Sequence, residues 1–278
     1  MRLPRIRTVL LVPLLLFVAV YVVAAITLAL KEDAIAIHTG PVADYRTIAI
    51  FGASGTAGDG ILKAALANPE IETIRVFTRR MTPRIEEGVS AGKVAVTLHT
   101  DYLDYSLIHD EISDVDAVFW AIGTSSIGVD EQTYGRIHVD FPVRFVTEWL
   151  SVSEKSNLVF HYISSSDISE DSSAMWAREK VRAEKALFAI AEGTALRVIA
   201  YRPDYIGPTR EEAHLRQILA YGFFAPVGAA VKARQIGQAM FEATARGRSF
   251  DNGDKLGTRS IIRLSDAYEA RQQIFEGN

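Results

Sequence analysis

The stretch Thr47-Ile-Ala-Ile-Phe-Gly-Ala-Ser-Gly-Thr-Ala-Gly58 decides the fold. A short apolar, β-branched run ends at Phe51, a glycine turn follows at once, and Ile61-Leu-Lys-Ala-Ala-Leu66 reads as a helix. Strand, glycine turn and helix in that order form a phosphate-binding corner of the dinucleotide type. Gly52 permits the tight turn, Gly55 lets a pyrophosphate approach the backbone, and Gly58 lets the helix pack on its strand. Ser54, Thr56 and Ala57 complete the loop, and the helix N-terminus offers N–H groups and partial positive charge to an anion.

Working outward, strand and helix signals alternate. Further strands are expected at Thr73-Ile-Arg-Val-Phe77, Val94-Ala-Val-Thr-Leu98, Ala117-Val-Phe-Trp-Ala-Ile122, Leu158-Val-Phe-His-Tyr-Ile163 and Leu196-Arg-Val-Ile-Ala200. Helices are expected over 107–112, 139–150 and 174–191. Nearly continuous apolar strands indicate burial on both faces. The chain therefore reads as an α/β protein, a Rossmann-like doubly wound parallel sheet, with its ligand crevice at the C-terminal strand ends. Beyond residue 208, helices are expected over 211–223 and 233–245. Ser260-Ile-Ile-Arg-Leu264 reads as a late strand and 266–275 as a closing helix. This last part is expected to shape a substrate pocket within one domain, 47–278.

Composition narrows the function. The 278 residues are 49% hydrophobic and 23% charged, with net charge −4. This acidic balance (pI ≈ 5.9) argues against a nucleic-acid partner. The absence of cysteine excludes disulfides and thiol nucleophiles. The six histidines show no metal-ligand spacing, so no metal is expected.

Residues 1–30 form a separate unit. The run 8–30 carries no charge and is long enough to cross a bilayer core as a helix. It is also longer than the apolar region of a cleaved signal peptide, about 7–15 residues. A single-pass N-terminal anchor is therefore expected, with the lipid bilayer as partner and residues 31–46 as a linker carrying Gly40-Pro41. Arg2, Arg5 and Arg7 would keep the N-terminus cytoplasmic and send the domain across. The cytosolic supply of nicotinamide cofactors argues for the opposite orientation.

Cofactor choice turns on the end of the second strand, where Thr78-Arg79-Arg80 stands. A carboxylate there would bind the ribose 2′-OH of NAD, whereas guanidinium groups suit a 2′-phosphate. NADP(H) is therefore favoured over NAD(H). Asp101-Tyr102, just past the third strand, reads either as a grip on the adenine edge or as a simple turn.

Together these residues resemble the short-chain dehydrogenase/reductase superfamily, and within it the atypical NAD(P)H-binding proteins of the NmrA-like group. The resemblance rests on the glycine corner, Thr78-Arg79-Arg80, Asp101-Tyr102, Ala121-Ile-Gly-Thr-Ser125, Ser164-Ser165-Ser166, Lys180 and Arg202-Pro-Asp-Tyr-Ile-Gly-Pro208. It covers about 47–210 and fades after that. It implies that Gly123 and Thr124 line the adenosine-side ribose and phosphates. It implies too that Arg202-Pro203 approaches the nicotinamide, that Ser165 and Ser166 polarise a carbonyl, and that Lys180 holds the nicotinamide ribose. One departure stands out: the family's Tyr-x-x-x-Lys pair has Trp176 in the tyrosine position. An indole N–H can donate a hydrogen bond but cannot transfer a proton near neutral pH. Tyr134, Tyr162 and Tyr205 are possible surrogates by neighbourhood, with Tyr134 foremost. Two functions follow. One is a membrane-anchored NADP(H)-dependent oxidoreductase acting on a small hydrophobic substrate. The other is a non-catalytic NAD(P)H-binding sensor, assembly factor or accessory subunit of a membrane complex. Pairing as a homodimer fits either.

Overall fold

The structure, a computed structural model, describes residues 6–30, 43–209, 211 and 213–276. Strand β1 (Thr47–Phe51) shows how both faces of the sheet are covered. Ile48 and Ile50 enter one core cluster, while Ala49 and Phe51 enter the other. Side chains alternate across a strand, so a continuous apolar run feeds two cores at once.

The elements follow in chain order. The first half comprises α1 (Ile6–Leu30), β1, α2 (Thr56–Ala67), β2 (Thr73–Thr78), α3 (Pro83–Ser90), β3 (Val94–Leu98), α4 (His109–Ser113) and β4 (Ala117–Trp120). The middle holds α5 (Glu131–Gly135), a π-helical turn (Arg136–Asp140), α6 (Phe141–Val152), β5 (Leu158–Ile163), α7 (Met175–Ala191) and β6 (Leu196–Arg202). The last part comprises β7 (Tyr205–Gly207), α8 (Leu215–Phe224), β8 (Ala230–Lys232), α9 (Ala233–Ala245), β9 (Lys255–Gly257) and α10 (Thr258–Glu276).

Seven strands pair in parallel in the order β3-β2-β1-β4-β5-β6-β9, and β7 pairs with β8 in a separate ribbon. The strand order reverses between β1 and β4, and a crevice opens there at the C-terminal ends. Ile61 of α2, Met240 of α9 and Ile261 of α10 fill the core on one face. Ile112 of α4, Trp149 of α6 and Leu187 of α7 fill it on the other.

Three expectations need correction. Residues 260–264 are not a strand but part of α10; the seventh strand is β9, just before it. Ser260, Ile261, Leu264, Ser265 and Tyr268 are buried at helical spacing, a period that five residues are too few to reveal. The helix expected from residue 139 begins at Glu131 and passes through the π turn. The chain also joins the domain before β1: the Ala43 N–H donates to Ala245 O at 2.8 Å, and Tyr45 is buried with its hydroxyl on Phe241 O. The remainder of the expected linker, 31–42, lies outside the described residues.

Among the described residues no helix is long and apolar enough to cross a membrane. The continuous described side chains of α1 cover 11–27, which span only about 25 Å. The whole helix has 25 residues, with Pro13 inside it and Arg7 its only charge. At 1.5 Å per residue its full length is about 37 Å. The expected membrane-spanning helix is therefore not supported among the described residues.

Candidate functional site

The crevice begins where β1 ends. Gly52 sits at φ +84, a conformation costly for any residue with a Cβ. A Cβ there would also lie 2.6 Å from the Ala121 carbonyl carbon at the end of β4. The Gly55 N–H closes the turn onto Gly52 O at 3.0 Å, and the Asp59 N–H bonds Gly55 O at 2.8 Å to start α2. A Cβ on Gly58 would stand 2.0 Å from Gly52 O. Gly55 is exposed, with only Gly52 O near its missing side chain. The loop is thus packed shut beneath and open above, with Ser54, Thr56 and Ala57 half-buried along its rim. A cradle of this shape, at a helix N-terminus, fits a pyrophosphate.

Arg80 folds over this loop, its Nη2 donating to Ser54 O at 3.2 Å. Arg79 and Arg80 are both exposed, and no carboxylate among the described residues pairs with either. Two other cations near α2 are committed elsewhere. Arg84 grips the buried Asp59 with Nε at 2.5 Å, and Lys63 pairs with Glu211 at 2.5 Å. Thr209 also bonds Asp59, tying the start of the β7–α8 connection to α2. This ionic cluster has no sequence signal, because its members are up to about 150 residues apart and gain meaning only through the fold. At Asp101-Tyr102 a turn is formed, in which Asp101 accepts the Leu103 N–H at 3.0 Å. Tyr102 is buried between His99 and Phe141, and burial pushes its phenol up against the opposing Arg79 charge.

The β4 end contributes Gly123 and Thr124, held by His138 of the π turn. The Thr124 N–H donates to His138 Nε2 at 3.2 Å, and a Cβ on Gly123 would meet His138 Cε1 at 2.9 Å. Burial first, and the Lys180 charge second, push His138 down to about 3, so the ring is neutral and can accept. Among the described residues its Nδ1 is buried without a partner, as is Ser164 Oγ. Sequence reasoning missed His138.

Lys180 lies buried under the β5 end. Its Nζ donates to Ile163 O at 2.8 Å and to the Tyr162 hydroxyl at 3.4 Å; that hydroxyl in turn donates to His138 O at 3.0 Å. Burial pushes Lys180 down to about 7, with Glu184 opposing, so this amine holds or releases a proton near neutrality. Trp176 is half-buried one turn earlier, and residues four apart share a helix face. Ser165 and Ser166 are half-buried, and the Ser166 N–H bonds Pro203 O at 3.2 Å, joining the β5 and β6 ends. Arg202 ends β6. Its guanidinium turns to α7, with Nε on Glu184 at 2.9 Å, because Glu184 is a buried carboxylate that requires a cation. Pro203 remains at the strand end. Tyr134 is buried against the His138 ring, 4.1 Å between centroids, and pushed up to about 12 by burial. Tyr162 is wholly buried. Tyr205 lines a cavity, and Ser166 lines the same one.

Seven parallel strands in this order, with a glycine corner at the reversal and a buried lysine on the helix after β5, define a known architecture. The chain has the fold of the short-chain dehydrogenase/reductase superfamily. Among solved structures, it is similar to a 3-oxoacyl-[acyl-carrier protein] reductase from Brucella melitensis, with a TM-score of 0.62 at 16% identity over 80% of this chain and 98% of that one. It is also similar to a UDP-glucuronic acid 4-epimerase from Bacillus cereus solved in complex with NAD, with a TM-score of 0.57 at 14% identity over 76% and 77%. A curated relative, the mitochondrial protein fmp52 of Emericella nidulans, is 25% identical over 184 residues, 65% of this chain and 76% of the relative. No family model matches the chain.

Proposed function

We propose that this protein is a membrane-anchored, NADP(H)-binding oxidoreductase of the superfamily, acting on a small apolar substrate. The observation that carries the reading is the backbone cradle at Gly52–Gly58 with Arg80 lying across it. Gly52, Ser54, Gly55, Thr56, Ala57 and Gly58 would hold the pyrophosphate, and Gly123 and Thr124 the adjoining ribose. Arg79 and Arg80 favour a 2′-phosphate, since charged forks suit that group and no carboxylate among the described residues pairs with them. Lys180 and Pro203 would border the nicotinamide ring and its ribose. Bound NADPH supplies a hydride; the chain must orient the acceptor and provide a proton. Ser165 and Ser166 offer hydroxyls to an acceptor oxygen, and Lys180 can pass a proton near neutral pH without a tyrosine. The uncharged run 8–30 of the sequence supports the anchor. A mitochondrial setting, like that of the Emericella relative, would give the domain access to a nicotinamide pool on either side of the orientation conflict.

Titration of NADPH and NADH into the full-length protein, followed by nicotinamide fluorescence and melting temperature, tests the reading. Tighter binding of NADPH that is lost on Arg79→Ala/Arg80→Ala supports it, and failure to bind either nucleotide overturns it. Trp176 favours a second reading, a nucleotide-binding sensor or accessory subunit without turnover. The two separate on whether NADPH is consumed with a panel of apolar carbonyls.

A further inference from the structure

The cavity that holds Ser166 and Tyr205 has one wall made by α1. It measures about 440 Å³, within the range of small-molecule sites. Phe17, Val20, Tyr21 and Ala24 of α1 line it on one side. The Tyr21 hydroxyl donates to Phe223 O at 2.7 Å, which seats the helix on α8. Aromatic rings then run inward without a break. Tyr21 meets Phe223 at 5.2 Å, Phe223 meets Phe224 at 5.1 Å, and Phe224 stacks on Tyr205 at 5.5 Å. Ser166 and the exposed Asp167 and Asp204 give the cavity a polar edge. Ser166 lies three residues beyond Ile163, whose carbonyl takes the Lys180 ammonium. The path therefore leads from α1 to the strand ends of the site.

The outer face points the same way. No residue of α8 is buried, and Leu215, Ile218, Leu219 and Phe223 stand exposed at three- and four-residue spacing. Such a stripe beside a helix whose one charge is Arg7 suits an interfacial surface for lipid. The two aspartates at that polar edge disfavour a carboxylate or phosphate head, and the aromatic wall disfavours a sugar.

We propose that this cavity binds a single-chain lipid with a neutral carbonyl or hydroxyl head, taken sideways from the bilayer, with α1 as part of the binding site and not only a tether. The inference rests on the membrane-anchored oxidoreductase reading and specifies its substrate class. The test uses the full chain in phosphatidylcholine vesicles and a long-chain aldehyde carrying a diazirine near its tail. After irradiation, label should concentrate on Phe17, Tyr21, Phe223 and Phe224. An unlabelled long-chain alcohol should displace it, and the corresponding fatty acid should not. Val20→Trp overfills the cavity from α1 without touching the domain core, and should cut labelling roughly tenfold. Label spread evenly along α1, or unchanged by Val20→Trp, overturns the proposal. NADPH titration of the same samples keeps the two readings apart. Lost labelling with intact nucleotide binding removes the lipid site alone. Labelling that survives without any nucleotide binding removes the oxidoreductase reading and leaves the lipid site standing.

Discussion

Two strand ends of the same sheet build their sites by opposite means. At β1 the site is backbone, shaped by side chains that are absent: Gly52 and Gly58 let main chain approach where any Cβ would collide. At β5 the site is side chain, a run of donors from Lys180 through Tyr162 to the His138 carbonyl, all buried. A backbone site tolerates no addition and scarcely depends on pH. A buried side-chain site depends on protonation, because each group was taken out of water and its charged form suffers for it.

The comparison can be broken at either end. The largest expected effect is at the cradle. Gly58→Val should abolish dinucleotide binding and lower stability by about 3 kcal/mol, as overfilled packing does, seen by fluorescence titration and thermal melting. Retained binding would mean that the loop relaxes and is not a rigid mould.

At the β5 end, Lys180→Met should change how stability varies with pH. Folding lowers the Lys180 pKa from 10.5 to about 7. Below pH 7 the ammonium is charged in both states, and its burial costs stability in full. Between about 7 and 10.5 the unfolded chain holds more protons, so wild-type stability rises with pH. The variant should therefore be the more stable at pH 6, with the gap closing by pH 10 in melting curves. A constant gap would show that the amine stays charged throughout.

Arg202→Met should cost about 3 kcal/mol, because it strands the buried Glu184. Nucleotide affinity should hold, and the double variant with Glu184→Met should recover most of the stability. A selective loss of nucleotide binding would return Arg202 to the cofactor. The smallest effect sharpens the first site: Arg79→Ala/Arg80→Ala should weaken NADPH by about 2 kcal/mol, roughly thirtyfold, and leave NADH nearly unchanged in paired titrations.

The same contrast explains what could be read beforehand. The β1 turn was legible because tight backbone geometry demands glycine, and glycine is visible in a sequence. The core strands were legible because burial on both faces demands unbroken apolar runs, such as Leu158–Ile163. The side-chain site was legible only in part. Lys180 was found through the family resemblance, but nothing marked His138, which matters through a turn that places it under Thr124. Asp59, Arg84 and Thr209 are ordinary residues until α2, α3 and the β7–α8 connection meet. Arg202 was assigned by its place on the chain, whereas the demand of Glu184 decided where it points. β7 and β8, three residues each, are too short to carry a period.

The π turn at Arg136–Asp140 has a consequence for how this chain can change in length. The Phe141 N–H reaches back five residues to Arg136 O, so the helix from Glu131 to Val152 carries one residue more than an α-helical path needs. Deleting a single residue there would leave a continuous α-helix while rotating everything before it by about 100°. Asp130, which caps the first turn, and Tyr134 would swing off their present bearings, and His138 would leave the β4 loop. The surplus residue is thus a phase setting between two helical segments: the outer one is keyed to the loop, the inner one to the core.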